Sequence, residues 1–176
     1  MTARCVRYLC RLAAAATFVA GGASSSAAQT ANASPAAPRS IQEISVNPIT
    51  TTFGWYNAEY QRSIDATKTW GVSGSYLSLG DASYRNLTGT FRYYPRAAMS
   101  GFYIGGRVGM HRIGTDVAAG TLVGAGPDIG YSWLLGAKQN VGIAMGIGAM
   151  RLFGGDLQGV SFTIPTVRLI DVGIAF

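Results

Sequence analysis

Five charged side chains and one histidine are the residues of this chain whose types and spacing are suited to chemistry. Each of the five lies among small or polar residues at alternate positions of a segment whose other positions are apolar. Alternate side chains of a strand point to one face, and an isolated ion in a closed interior costs several kcal/mol. The pattern therefore predicts a salt-bridged network inside a lumen, with a conduction pathway as the alternative. The five residues are Glu59, Arg92, Arg107, Asp128 and Asp171.

The single histidine, His111, is the candidate for acid–base or nucleophilic catalysis. Arg112, Ile113 and Gly114 follow it, so no serine stands nearby in the sequence. A lone histidine is usually structural, although catalytic triads assemble from distant positions. We therefore predict a protein without enzymatic activity. The alternative is an enzyme that acts through His111.

Neither a metal site nor a cofactor site is predicted. No group of histidine, cysteine and carboxylate residues has the spacing of metal ligands. The glycine-rich run at residues 124–130 lacks the third glycine of the dinucleotide fingerprint, and no helix is expected after it. We therefore expect neither a metal ion nor a cofactor.

The elements that position these residues are strands with strict alternation of apolar with small or polar side chains. Turn residues separate the strands near residues 65–67, 80–83, 95–100, 114–120, 136–139 and 154–159. Six strands are clear, and residues 55–63 form a seventh. Closed bacterial barrels have an even number of strands, so residues 41–63 are divided into strands at 41–49 and 55–63 with a turn at 51–54. A single long strand over residues 41–63 also fits the pattern. We predict an all-β, eight-stranded antiparallel up-and-down transmembrane β-barrel over residues 41–176.

The composition favours a barrel whose apolar face meets lipid over a soluble barrel filled with apolar side chains. Charged residues are 12% of the chain, whereas a soluble surface is usually about 25% charged or more. The second face of each strand, rich in Gly, Ser, Thr and Asn, suits a narrow lumen. Outward aromatic residues also gather at one end of the strands, as in an interfacial girdle. They are Tyr60, Trp70, Tyr93, Phe102, Tyr131, Trp133 and Phe176.

Residues 1–28 have the pattern of a cleaved secretory signal peptide, with three arginines before a short apolar run and small residues after it. A cut after Ala33 is the alternative, and residues 29–40 are predicted to be a flexible Ala/Ser/Pro-rich leader. Cys5 and Cys10 leave with the signal peptide, so no disulfide is expected. The formal net charge of +6 becomes 11 basic against 8 acidic residues, or +3, which is too weak to indicate nucleic acid.

The last strand ends with outward residues Ile170, Val172, Ile174 and Phe176. It resembles the closing strand of bacterial outer-membrane barrels, which the barrel assembly machinery recognises. The resemblance implies that these four residues form an assembly signal.

Further short motifs also resemble a family of small bacterial outer-membrane β-barrels of unassigned function, with the eight-stranded OmpA-type architecture. The likeness covers most of residues 41–176, and it implies a barrel without implying any chemistry. Members of the family more often have Tyr-Glu-Arg where this chain has Tyr60-Gln61-Arg62. The motifs are Asn47-Pro48, Phe53-Gly54, Tyr60-Gln61-Arg62, Arg92-Tyr-Tyr-Pro95, Gly101-Phe-Tyr-Ile-Gly105 and the closing Gly-Ile-Ala-Phe.

Four arginines are expected on the lipid-facing side, about 8 to 11 residues from the periplasmic ends of their strands, which is roughly one membrane thickness. This position predicts contacts with the phosphates of lipid A; unpaired arginines that reach toward the interface are the alternative. The protein is therefore expected in the bacterial outer membrane as a monomer that contacts lipopolysaccharide and has an envelope or surface-interaction role. One alternative is a small-solute conduit. The other is an enzyme that modifies lipid A or phospholipid through His111; enzymes of that kind on eight-stranded outer-membrane barrels resemble this chain in architecture only. The four residues are Arg85, Arg112, Arg151 and Arg168.

Overall fold

The computed structural model describes residues 41–115, 118–155 and 161–176, and these form one closed antiparallel barrel in which each strand pairs with its neighbours in sequence. This confirms the prediction of an all-β, eight-stranded up-and-down barrel. The predicted signal peptide and leader lie outside the described residues. The elements are β1 Gln42–Val46, α1 Pro48–Thr51, β2 Trp55–Ser63, β3 Lys68–Leu79, β4 Ala82–Tyr93, β5 Gly101–Thr115, β6 Ala118–Leu135, β7 Val141–Gly155 and β8 Ser161–Ala175.

The first strand is shorter than the expected 41–49, because a one-turn helix follows it. The Asn47 side chain accepts a hydrogen bond from the backbone N–H of Thr50 at 3.0 Å, which caps the start of α1. Pro48 occupies the first turn, where its missing N–H costs nothing. The Thr51 hydroxyl donates to the Asn47 carbonyl at 2.8 Å. The division of residues 41–63 into two strands is thus confirmed, with a helix where part of strand 41–49 was expected.

The β2–β3 turn, at the end of the barrel that holds Gln42 and Phe176, is built from local hydrogen bonds. In the β2–β3 turn, Asp65 accepts hydrogen bonds from the backbone N–H groups of Thr67 at 2.7 Å and Lys68 at 2.9 Å. The Lys68 ammonium group and the Thr67 N–H hold the pKa of the Asp65 carboxyl well below its usual range. At the opposite end, the predicted break at 114–120 is shorter, since β5 continues to Thr115 and β6 begins at Ala118.

The outer surface of the barrel is apolar along every strand. Large side chains such as Val72, Leu87, Phe102, Val108 and Ile147 are exposed to the surroundings, and the small or polar residues between them face inward. The predicted girdle residues other than Tyr60 are also exposed on this surface. Within the described residues, no helix is long and apolar enough to cross a membrane.

The register of β8 changes in the middle of the strand. Ala144 of β7 pairs with Asp171, whereas Gly146 pairs with Arg168, so a β-bulge accommodates one extra residue of β8. Leu169 and Ile170 consequently both face outward, with 44% and 37% of their surface exposed. The bulge reverses the alternation for the part of β8 that precedes it, and Arg168 therefore faces inward.

Candidate functional site

Six charged side chains join in a continuous chain of ion pairs across the lumen, and we call this set the lumen network. Arg107 Nη2 lies 3.0 Å from Asp128 Oδ1, and Asp128 Oδ2 lies 3.0 Å from Arg92 Nε. Arg92 Nη1 pairs with Glu59, whose second oxygen pairs with Arg168. Arg168 Nε then lies 2.9 Å from Asp171 Oδ2. The lumen network comprises Arg107, Asp128, Arg92, Glu59, Arg168 and Asp171.

Strand register and an intervening glycine bring Arg92 and Asp128 together. Gly105 of β5 pairs with Arg92 of β4 on one side and with Asp128 of β6 on the other. A Cβ atom at Gly105 would lie 2.9 Å from Arg92 Cγ. The absence of a side chain at Gly105 therefore lets the arginine cross β5 and reach the carboxylate.

Arg92 is the centre of the lumen network and is completely shielded from solvent, with 0% of its surface exposed. Its Nη1 also donates to Gln61 Oε1 at 2.9 Å, and its guanidinium carbon lies 5.1 Å from the centre of the Tyr103 ring. Such a cation–π contact adds to the ionic contacts in a desolvated site. Tyr94 and Tyr103 are themselves fully buried and pack against each other with ring centres 5.4 Å apart. These two rings form an aromatic layer beside the ion pairs.

The structure brings all five predicted lumen residues into the lumen network. It also places inside the barrel one charged residue that the sequence prediction missed and one that it misplaced. Glu43 of β1 is buried against the inner face, close to Gly142 and Gly173. The alternation of Glu43 and Ser45 with the apolar residues Ile44 and Val46 is the sequence signal that identifies it. Arg168 is the second.

The expected outward position of Arg168 is wrong. Simple alternation from Phe176 places Arg168 on the lipid-facing side, but the bulge at residues 169 and 170 inserts one extra residue and turns its side chain into the lumen. There it binds Glu59 and Asp171. Arg168 therefore belongs to the lumen network and not to an outer belt of arginines.

His111 is buried in the lumen. Its Nδ1 atom forms a 2.7 Å hydrogen bond with the Tyr84 hydroxyl, which also accepts from Asn86 Nδ2 at 3.0 Å. The rings of Tyr84 and His111 stack. These contacts hold the imidazole against the barrel wall, on the face opposite the apolar outer surface.

An apolar cluster, which the sequence prediction missed, occupies the inner faces of β6 and β7. Leu122, Met150 and Leu152 are buried there, and Ile113 and Ile164 pack against them. All five lie on the face that was expected to hold only small or polar side chains. The lumen thus contains an aromatic layer, the lumen network and an apolar cluster.

Three of the four arginines expected on the outer side are exposed there, namely Arg85, Arg112 and Arg151. Arg85 of β4 and Arg112 of β5 are direct cross-strand partners. Arg151 of β7 donates hydrogen bonds to Thr163 at 3.3 Å and to Ser161 at 2.9 Å on β8. The arginines are therefore an adjacent pair and a separate residue, instead of a belt of four.

In the described part of the chain, no group of three or more His, Cys, Asp or Glu side chains is arranged to hold a metal ion. The six charged side chains of the lumen network are instead bound to one another.

Comparison with known proteins identifies no family for this chain. No protein-family model matches it, and no curated protein does. Among solved structures, it is similar to the N-terminal β-barrel domain of Pseudomonas aeruginosa OprF, with 12% sequence identity and a TM-score of 0.48. The similarity covers 79% of this chain and 99% of that domain. At this level of similarity no function or partner carries over, and membership of the family named above remains a prediction.

Proposed function

We propose that this protein is a non-enzymatic barrel of the bacterial outer membrane, with a lumen closed by its own side chains and a structural or surface-interaction role in the envelope. The observation that carries the proposal is the combination of a continuous apolar outer surface with a charged network that crosses the interior. Each half of this combination argues for one part of the proposal.

The outer surface supports the membrane location. Soluble monomers rarely expose contiguous apolar patches larger than a few hundred Å², yet every strand of this barrel has exposed Val, Ile, Leu, Met or aromatic side chains. Exposing this apolar surface to water would cost free energy, whereas contact with the hydrocarbon core of a bilayer would not. A closed barrel also satisfies the backbone hydrogen bonds that a bilayer cannot satisfy.

The lumen contacts support a closed interior. Arg92 of β4 binds Asp128 of β6 on one side and Glu59 of β2 on the other, and Glu59 in turn binds Arg168 of β8. These contacts connect strands on opposite sides of the barrel. An eight-stranded barrel has an interior that side chains nearly fill, so the network leaves little space for a solute path.

The lumen arrangement also disfavours the enzyme alternative. A lipid substrate would approach the barrel from its apolar outer face, whereas the His111 ring is buried inside and bonded to Tyr84. We therefore propose a structural role for His111.

Electrical recording tests the closed lumen. The purified barrel, added to a planar lipid bilayer, is expected to produce no single-channel steps of porin size, because the lumen network and the apolar cluster block ion passage. As a control that the barrel is folded, the same sample is run on a gel with and without heating, because a folded barrel changes its migration when it is heated. Stable steps from protein that is folded by this control would contradict a closed lumen and favour the conduit.

Phe176 offers a test of the proposed assembly signal. Phe176→Ala is expected to leave a secreted but unassembled protein in cells, because the assembly machinery recognises the aromatic side chain. Both backbone hydrogen bonds between Phe176 and Gln42, at 2.9 and 2.8 Å, remain available in this variant. The same variant should therefore refold from urea into detergent as the unchanged protein does, and Phe176→Tyr should assemble in cells. Normal assembly of Phe176→Ala in cells would remove the proposed signal.

A further inference from the structure

We infer that the outer face of β3 to β6 binds one lipid A molecule, with a phosphate held between Arg85 and Arg112 and an acyl chain in the groove over Gly89 and Gly106. This inference depends on the membrane location proposed above. It replaces a belt of four equivalent arginines with one site that has a head-group part and a chain part.

The head-group part is an arginine pair that lacks a partner of opposite charge. Arg85 and Arg112 lie directly opposite each other on adjacent antiparallel strands, and like charges in this position destabilise a sheet. Neither guanidinium forms an ion pair with any residue in the described part of the chain. The Arg85 guanidinium carbon lies 5.3 Å from the centre of the Tyr76 ring, on the neighbouring strand, which holds it in place. An anion between the two arginines would relieve their repulsion.

The chain part is a shallow, open apolar groove on the outer surface, with a volume of about 670 Å³. Gly89 and Gly106 face outward where neighbouring positions carry large side chains, so they leave a depression between them. The groove lies on the side of the arginine pair nearer to the barrel end that holds Gln42 and Phe176, because Gly89 follows Arg85 on β4 and Gly106 precedes Arg112 on β5. The outward side chains that line it are Trp70, Val72, Phe91, Val108 and Ala125.

The two parts together select a phosphorylated, acylated lipid. A phosphate monoester carries a charge of about −1.5 to −2 at neutral pH, which matches two guanidinium groups. The phosphodiester of a glycerophospholipid carries one negative charge, and in phosphatidylethanolamine an ammonium group lies beside it, which two arginines would repel. Lipid A has phosphate monoesters above a cluster of acyl chains. Its chemistry therefore fits the arginine pair and the groove at once.

Arg151 provides an internal contrast. It lies on the outer surface as Arg85 and Arg112 do, but its guanidinium already donates to Ser161 and Thr163. A bound anion would therefore stabilise Arg151 less than it would stabilise the pair Arg85 and Arg112. Arg62 of β2 is also exposed, at the end of the barrel where it pairs with Gln42. Arg151→Gln and Arg62→Gln are therefore matched controls for the removal of one outward positive charge.

The groove can be filled without disturbing the barrel wall. A Cβ atom added at Gly89 or Gly106 would lie 3.8 Å from the nearest atom, which is ordinary contact. Gly74 is a third outward glycine, and it does not line the groove. A Cβ atom added there would lie 3.6 Å from the nearest atom, the Asn86 carbonyl oxygen. Gly89→Leu and Gly106→Leu therefore test the chain part, and Gly74→Leu is their matched control.

The experiment measures the thermal midpoint of unfolding of the barrel in phosphatidylcholine vesicles alone, with phosphatidylglycerol, with lipid A, or with dephosphorylated lipid A. Lipid A that remains on the barrel after purification from outer membranes is quantified by mass spectrometry. We expect lipid A to raise the midpoint more than the other additions do. Arg85→Gln and Arg112→Gln should each reduce retained lipid A, and the double variant should reduce it about tenfold or more, since charge-assisted hydrogen bonds are lost. Gly89→Leu/Gly106→Leu should reduce it as well, and the three control variants should retain it.

The outcomes separate this site from the proposed function. Folded variants of the arginine pair that retain as much lipid A as the unchanged protein would overturn the site and leave the membrane barrel intact. Equal stabilisation by phosphatidylglycerol would also overturn it, because any anionic lipid would then suffice. Unchanged retention by the groove variants would overturn the chain part. Failure of the unchanged protein to fold into any of these vesicles would instead count against the membrane barrel itself.

Discussion

Replacing Arg92 by methionine is expected to lower the free energy of unfolding of the barrel by about 3 to 5 kcal/mol, the usual cost of removing one partner from a buried ion pair. Arg92 has no exposed surface and binds both Glu59 and Asp128. Methionine fills much of the same volume but leaves both carboxylates with one ionic contact fewer. Urea unfolding of the purified barrel in detergent or vesicles, followed by tryptophan fluorescence, measures the difference.

Two other arginines calibrate this experiment. Arg107 binds only Asp128 among the described carboxylates, and its side chain is 16% exposed, so Arg107→Met should cost less than Arg92→Met. Arg62→Met removes an exposed charge and should change the stability by less than about 1 kcal/mol. A cost below about 1 kcal/mol for Arg92→Met would show that the lumen is hydrated, since surface pairs have that value. That result would favour the small-solute conduit.

Replacing Gly126 by valine is expected to destabilise the barrel by about 3 kcal/mol or more, at or beyond the upper end of the usual cost of overpacking. A Cβ atom at Gly126 would lie 1.8 Å from the carbonyl oxygen of Ala149. The obstacle is backbone of β7, so β6 and β7 would have to separate. Pro127 follows immediately and has no N–H to donate to a neighbouring strand, so the hydrogen bonding there can tolerate little further loss.

The matched control for Gly126→Val is Gly89→Val. Gly89 faces outward, and an added Cβ there would lie 3.8 Å from the nearest atom. Both variants introduce the same β-branched residue into a strand, so strand propensity cancels. The fraction of protein with heat-modifiable migration and the midpoint of urea unfolding should fall for Gly126→Val alone. Equal behaviour of the two variants would mean that β6 and β7 are not closely apposed at this position.

The regular part of the fold follows from the sequence because side-chain direction in a strand alternates locally. Each residue of β4, for example, can be assigned to a face without knowledge of its neighbours, and Arg92 and Leu87 are correctly assigned in this way. The inward positions of Glu59, Arg107 and Asp128 follow from the same rule. The even number of strands follows because a closed sheet in which every neighbouring pair is antiparallel requires it.

Register, in contrast, depends on hydrogen bonds between strands that are distant in sequence, and alternation within one strand carries no information about it. The bulge that turns Arg168 inward is a property of the β7–β8 pairing. The adjacency of Arg85 and Arg112 likewise arises from the β4–β5 pairing.

The contacts of the lumen network also required the tertiary structure. Arg168 and Glu59 are 109 positions apart in the chain, and they meet because the closed sheet brings β8 and β2 to either side of the short strand β1. The sequence by itself determined that charges lie inside a barrel. Which charge meets which depended on strand register and barrel closure, because both place side chains through contacts that no local pattern encodes.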